Sequence, residues 1–467
     1  MMRVGQFLRL RAWRCRALLA VMVTAALLFG ALLMDGKRPD VATRPVWMAA
    51  GNCTPRTNIA FLKSHKCASS AIQNILFRYG LKHNLYFALP DRGNYFGGGR
   101  QNFKAEMVRL SVLNKMEPNI FAIHTKWDHD EVRKVMPEDT VYFTIVREPS
   151  ALFQSLFVYS DFEKKKGMTI DEFVREVAVD AERVSHYIGY NQMTWDFGMP
   201  KKNLNNITAV REMVARAEDQ FGLVVVAERM EESLVLLAKY LCWELSDMVV
   251  LRLNSLRDEL KQPLSPATRQ LLQQKLAPDY LVYRHFVERF ERQVEAFGRA
   301  RMAAAVTRLR EMKALLSDTC GFVRTEATKL NNALRPWSNL VDGFADDGGS
   351  GCSLYILPEL RFIEKLRKKQ MKEVIKRFGM QPGPPLDAIP LAIGQDGKVS
   401  EKDLENLKKT LVHKDNTRKK ISGKRATGPG GKYMAASDGG GGGGGSGVVG
   451  GDPNGAGGDG NGDGGGA

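Results

Sequence analysis

Three times along this chain a short apolar run gives way to a segment with helical periodicity. That order restricts the fold more than any other feature. The runs are Asn58–Lys63 (NIAFLK), Thr140–Val146 (TVYFTIV) and Leu223–Ala227 (LVVVA), and each precedes a helical pattern, at Ser69–Tyr79, Glu148–Tyr159 and Glu231–Leu241. Continuous rather than alternating apolarity marks strands buried on both faces, as in a parallel sheet. In the first helical segment Ile72, Ile75, Leu76 and Tyr79 follow the i, i+3, i+4, i+7 rule, and Gly80 is the expected stop. Ile120–His124 reads as a fourth strand, with a polar helical stretch at Asp128–Met136 after it. Strands alternating with helices predict an α/β fold with a parallel sheet flanked by helices. Residues 258–318 continue as mostly helical sequence.

The 467 residues leave room for two or three domains. The flanks of the chain differ in kind from its body. Residues 1–16 carry five Arg and no acid, and Ala17–Met34 is an 18-residue run without charge. Such a run is just long enough to span a bilayer, and the positive excess before it puts the N-terminus in the cytosol. A cleaved signal peptide is the competing reading, but the run exceeds a usual h-region, which favours an uncleaved anchor. Residues 35–56, with Pro39, Pro45 and Pro55, read as a stem, and 57–377 as the globular body. Residues 378–434 form a basic linker and 435–467 a Gly/Asp-rich tail, both expected to be disordered because they cannot bury enough apolar surface. Arg361–Arg377 reads as a basic amphipathic helix, more simply a solvated end helix than a functional patch.

The formal net charge of +16 suggests nucleic acid until it is mapped. The first 16 residues hold +5, residues 361–432 hold +11 and the tail −4, so residues 17–360 carry only +4. Charge confined to flanks reflects topology or solvated tails, and a nucleic-acid partner is not expected. Five cysteines (Cys53, Cys67, Cys242, Cys320 and Cys352) follow the apolar run, and one must stay free. Cys67 is the expected free thiol and Cys320–Cys352 the favoured bridge. Asn52-Cys53-Thr54 and Asn206-Ile207-Thr208 are glycosylation sequons, in keeping with a lumenal body. No His/Cys cluster has metal-ligand spacing, so no metal is expected.

Two segments carry chemistry. Phe61-Leu-Lys-Ser-His-Lys-Cys-Ala-Ser-Ser70 joins a strand to a helix. Backbone N–H groups and the dipole at such a helix start attract a phosphate, Lys66 adds a point charge, and Ser69 and Ser70 add hydroxyls. GxxxxGK[ST] is absent, which disfavours a nucleoside triphosphatase. The second is Thr144-Ile-Val-Arg-Glu-Pro-Ser-Ala-Leu-Phe-Gln-Ser155, where Arg147 ends a strand and Ser155 lies two turns into the next helix. A planar guanidinium with a nearby hydroxyl suits a second phosphate.

The pair resembles the two cofactor signatures of sulfotransferases that use 3′-phosphoadenosine 5′-phosphosulfate (PAPS). The segments FLKSHKCASSAIQNILFRYGLKHNL, VYFTIVREPSALFQSLFVYS, VVVAERMEESLVLLAKYL and PDYLVYRHF further resemble the Golgi galactose 3-O-sulfotransferases, over roughly residues 57–372. The resemblance implies the P-loop-like PAPS-dependent sulfotransferase fold. It also implies a single-pass type II Golgi membrane protein with its catalytic domain in the lumen. Its implied reaction is sulfate transfer from PAPS to the 3-hydroxyl of terminal β-galactose on a glycolipid such as galactosylceramide or on a glycoprotein glycan.

By the same resemblance Lys63, Lys66, Cys67, Ala68, Ser69 and Ser70 hold the 5′-phosphosulfate, Lys66 stabilises the leaving phosphate, and Arg147 and Ser155 hold the 3′-phosphate. Cys67 stands where the family usually has Thr and supplies an N–H but no hydroxyl. Thr125-Lys126 replaces the more usual Leu-Arg at a position expected to face the acceptor. His124, at the end of a strand on the ligand edge of a parallel sheet, is the expected general base, with His65 as runner-up. Two other readings stand beside this one: a PAPS enzyme acting on a different glycan hydroxyl, such as a uronic acid, and a non-catalytic lumenal glycan binder.

Overall fold

The computed structural model describes residues 53–108, 116–179, 189–260, 263–349 and 351–378. The expected anchor at 17–34, most of the stem, the linker and the Gly-rich tail lie outside the described residues. Among those described, no helix is long and apolar enough to cross a membrane.

The apolar runs become the centre of a five-stranded parallel sheet. In chain order its strands are β1 (Ile59–Leu62), β2 (Phe87–Ala88), β3 (Ile120–Phe121), β4 (Val141–Val146) and β5 (Leu223–Val226). Their spatial order is β2-β3-β1-β4-β5. β1 lies between β3 and β4, with Ile59 opposite both Ile120 and Val141, and β4 pairs β5 from Phe143–Leu223 to Val146–Val226. β1 is fully buried, which is why its sequence shows no polar alternation. Phe61 and Phe143 stack across the central pair with ring centroids 4.8 Å apart.

Three helices follow strands as the periodicity predicts: α1 (Ser69–Lys82) after β1, α2 (Pro149–Tyr159) after β4 and, beyond the short helix α3 (Gln192–Asp196) and α4 (Ile207–Gln220), α5 (Met230–Leu241) after β5. The helical stretch from 258 onward resolves into a helix at Pro266–Lys275, then α6 (Ala277–Phe297) and α7 (Arg299–Cys320). A small antiparallel pair, β6 (Val323–Glu326) and β7 (Asp342–Ala345), and a last long helix, α8 (Glu359–Phe378), complete the body.

Gly80 does not stop α1, which runs on to Lys82. The glycine is required by packing instead: a Cβ there would lie 2.3 Å from Cζ of Phe87 and 2.9 Å from Cδ1 of Ile120. Its lack of a side chain lets α1 lie close against the β2–β3 edge.

Arg361–Arg377 is not a solvated end helix. Within α8, Phe362, Ile363, Leu366 and Val374 are buried, and Phe362 meets Phe77 of α1 edge-on at 5.2 Å. The Gln370 side chain accepts from the Phe87 N–H (2.9 Å) and donates to the Phe87 carbonyl (3.2 Å). One amide thus satisfies the free edge of β2, which would otherwise invite pairing with another chain.

Disulfides join Cys53 to Cys242 and Cys320 to Cys352, and Cys67 remains a buried free thiol. Asn206 is exposed and caps α4, its Oδ1 accepting from the Ala209 N–H at 3.1 Å. Asn52 lies outside the described residues.

Candidate active site

The C-terminal ends of the parallel strands converge on one edge of the sheet, the usual place for a ligand in such folds. Lys63 follows β1, Arg147 follows β4, and His124 lies three residues past β3, bridged to Tyr95. The loop from β1 to α1 passes through left-handed conformations at Lys66 (φ 54°) and Ala68 (φ 60°). Non-glycine residues adopt this region at a cost, and such strain concentrates at ligand-binding turns. Ala68 also occupies the N-cap of α1, where it offers no side chain to the first N–H groups. Those donors are left for an anion.

Three cations gather around that helix start. The Arg147 guanidinium donates from Nη1 to the Lys66 carbonyl at 2.6 Å, bracing the loop. The Lys66 ammonium sits 3.5 Å from the centre of the Tyr159 ring. Burial, with Arg147 and Lys63 nearby, lowers the Lys66 pKa to about 7. Lys63, Lys66, Ser70, Arg147 and Ser155 line one cavity of about 1440 Å³. Ser69 lines it too, but its hydroxyl donates to the Ser64 carbonyl at 2.7 Å and so closes the loop. Cys67 is fully buried and absent from the cavity wall, and burial raises its thiol pKa well above the ordinary range.

A second cluster stands on the β3 side of the same cavity. The rings of His65 and His124 stack at 4.4 Å, and Tyr95 stacks on both. Nδ1 of His65 meets the Asp196 carboxylate at 2.9 and 3.0 Å, and the same carboxylate accepts from the His65 N–H (2.7 Å) and from Gln192 (2.9 Å). A carboxylate only accepts, so Nδ1 of His65 carries the proton and Nε2 presents its lone pair, 3.0 Å from the Tyr95 hydroxyl. His124 is bound differently. Its Nδ1–H donates to the Lys63 carbonyl at 3.0 Å, and its Nε2 accepts from the Lys63 ammonium at 2.5 Å. Burial, then Lys63 and His65, hold the His124 pKa well below the ordinary range.

The cavity thus brings together Lys63, His65, Lys66, Ala68, Ser69, Ser70, His124, Arg147 and Ser155 from the residues singled out in the sequence. Thr125 and Lys126 do not face it. Both are buried, Lys126 with its ammonium 3.9 Å above the Trp195 ring, so the expectation that this dipeptide meets the acceptor is corrected. Sequence reading missed Asp196, Tyr95 and Glu359. Asp196 and Glu359 lie 131 and 296 residues from their partners His65 and Lys63, and no local spacing announces them. Among the described residues, no group of three or more His, Cys, Asp or Glu is placed to hold a metal ion.

Comparison with known proteins agrees with this geometry. A family model described as galactose-3-O-sulfotransferase matches residues 2–370. The human galactosylceramide sulfotransferase is 33% identical over 351 residues, covering 68% of this chain and 80% of that protein. The human galactose-3-O-sulfotransferase 2 is 32% identical over 383 residues, covering 78% of this chain and 95% of that protein. The bovine galactose-3-O-sulfotransferase 3 is 31% identical over 360 residues, covering 71% and 82%. With the family model spanning most of its length and the cation-lined loop and paired histidines in one cavity, the chain belongs to the galactose-3-O-sulfotransferase family of enzymes.

Proposed function

We propose that this protein, anchored in the Golgi membrane with its body in the lumen, transfers sulfate from PAPS to the 3-hydroxyl of terminal β-galactose. The acceptor is a glycolipid such as galactosylceramide or a glycoprotein glycan. The observation that carries the reading is the meeting of Lys63, Lys66, Arg147 and the uncapped start of α1 in the cavity that also holds two histidines. Three buried cations without an equal number of carboxylates suit a polyanion, and the fit extends to the two phosphate positions of PAPS. The amides of 68–70 with Lys66 and Ser70 would hold the 5′-phosphosulfate, and Arg147 with Ser155 the 3′-phosphate. When bound, PAPS supplies the sulfuryl group and leaves as adenosine 3′,5′-bisphosphate.

The residues divide the remaining work. Lys66 offers a compact positive charge where the leaving phosphate gains negative charge, the kind of placed donor that lowers such barriers. His65 is the better-equipped base. Asp196 fixes its tautomer and would stabilise the imidazolium once Nε2 takes the hydroxyl proton, as a carboxylate does for histidine in hydrolytic triads. His124, the base that strand position favours, keeps Nε2 on Lys63, and its lowered pKa makes it a weak acceptor of protons. The Tyr95 hydroxyl, already on His65 Nε2, marks where the acceptor hydroxyl would approach.

The test is to incubate the full chain with PAPS carrying labelled sulfate and, separately, galactosylceramide, lactose, Galβ1-3GlcNAc, Galβ1-4GlcNAc and desulfated glycosaminoglycans. Label at O3 of terminal galactose is expected. In the same assay His65→Ala should lose about 10²–10⁴ in rate and His124→Ala less. Label on a uronic acid alone, or on no galactoside, overturns the acceptor assignment. A larger loss in His124→Ala overturns the choice of base.

A further inference from the structure

Lys63 is 1% exposed, and a buried ammonium holds its proton only with a counter-charge in contact. The groups facing it come from four elements. His124, past β3, takes one N–H at 2.5 Å. Lys66, in its own loop, adds repulsion. Asp196, at the end of α3, attracts it through space but is already committed to His65 and Gln192. Glu359, the first residue of α8, makes the contact: Oε2 lies 3.0 Å from Nζ of Lys63 and Oε1 accepts from Asn94 at 2.9 Å. Glu359 itself is 16% exposed and lines the cavity.

We propose that Glu359 is a positioning residue of the sulfuryl-transfer site, whose carboxylate keeps Lys63 charged and aimed between the histidine pair and the phosphate loop. The inference rests on the sulfotransferase reading of the cavity and assigns α8 a part in it. A charged Lys63 does two things. It donates to Nε2 of His124, which fixes that ring's tautomer and so the face on which His65 stacks. It also adds positive charge to the wall of the cavity where sulfate must sit. Without Glu359, burial and the neighbouring Lys66 both favour the neutral amine; in the folded protein burial lowers the Lys63 pKa, and Glu359 is the largest opposing influence.

The measurement is the pH dependence of kcat from pH 5.5 to 9.5 at saturating PAPS and acceptor. It is made on the full chain as wild type, Glu359→Gln, Glu359→Asp, Lys63→Arg and Glu359→Gln combined with Lys63→Arg. In Glu359→Gln the alkaline limb should move to lower pH by about one unit or more, with kcat at pH 8 reduced about tenfold or more. Glu359→Asp should restore part of the shift. Lys63→Arg should abolish it in the double variant, because a guanidinium keeps its proton. A merely structural role would lower activity in step with melting temperature and leave the limb where it is. An unmoved alkaline limb in Glu359→Gln therefore overturns the inference. Should that variant fail to fold, Lys63→Arg alone decides: retention of the wild-type limb means that Lys63 does not set it. If the wild-type chain neither binds adenosine 3′,5′-bisphosphate nor transfers sulfate, the sulfotransferase reading falls, and this inference with it. An active wild type with an unshifted Glu359→Gln sinks the inference alone.

Discussion

Lys66 is held in a conformation that most residues avoid, beside two other cations and against an aromatic face. Its pKa of about 7, set first by burial and then by Arg147 and Lys63, makes it half-charged near neutrality. Between pH 7 and 10.5 the unfolded chain binds more protons at this residue than the folded one. Its contribution to folding stability therefore rises with pH across that window and is lost as pH falls toward 7. A bound polyanion reverses the preference and draws a proton in. Binding of adenosine 3′,5′-bisphosphate at pH 8 should therefore take up close to one proton, and its affinity should fall by up to about tenfold per pH unit above 7. Calorimetry in buffers of different ionisation enthalpy measures the uptake directly, and an uptake of zero at pH 8 removes Lys66 from the anion site. At this scale the sequence was informative where function is packed into contiguous loops. Lys66, Ser70, Arg147 and Ser155 could be found by motif. Asp196 and Glu359 could not, because each acts on a residue more than a hundred positions away.

α3 shows how a short element is held in place for the site. It has five residues, too few to be helical on its own account, yet it presents both Gln192 and Asp196 to His65. Its stability is borrowed from α6. The Asp279 carboxylate accepts from the Met193 N–H (3.1 Å), the Thr194 N–H (2.8 Å) and the Thr194 hydroxyl (2.7 Å), acting as an external cap. Burial pushes the Asp279 pKa up to about 6 against those donors. Asp279→Ala leaves buried N–H groups unpaired, which should cost about 1–3 kcal/mol in urea unfolding. Released at its start, α3 should also misplace Asp196, so kcat should fall further than the stability loss explains at a temperature where the variant is fully folded. Wild-type kcat in the folded variant would show that α3 is held by something else. The alternation of apolar runs and helical periods foretold the elements themselves. It failed at Gly80 because a glycine reads as a stop whether it ends a helix or clears space for Phe87. It failed again at α8, where Phe362, Ile363, Leu366 and Val374 sit among lysines and arginines, and the charge hides an apolar face that packs on α1.

On the scale of the molecule, the two disulfides decide where the ends of the body lie. Cys53 and Cys242 tie the entry of the chain to the C-cap of α5, across 189 residues. Cys320 and Cys352 join the last residue of α7 to the segment that leads into α8. Glu359 follows Cys352 by seven residues, so the second bridge restrains the approach of α8 to Lys63. Closing such a loop stabilises a small domain by about 2–4 kcal/mol, chiefly through the unfolded state. Cys320→Ser with Cys352→Ser should therefore lower stability by about that amount. If the bridge also orients α8, the pair should shift the alkaline limb of kcat in the same direction as Glu359→Gln. Cys53→Ser with Cys242→Ser should destabilise without that shift, since no residue of the cavity depends on the Cys53 segment. Both bridges require an oxidising compartment, which fits the lumenal placement proposed from the arginine-rich start and the uncharged run. Full-length protein made in a reducing cytoplasm should accordingly melt lower than secreted protein and regain the difference on oxidation. An equal melting temperature in the two preparations, with thiol titration showing the bridges absent from one, would mean that the packing of α5 and α8 holds the ends without them.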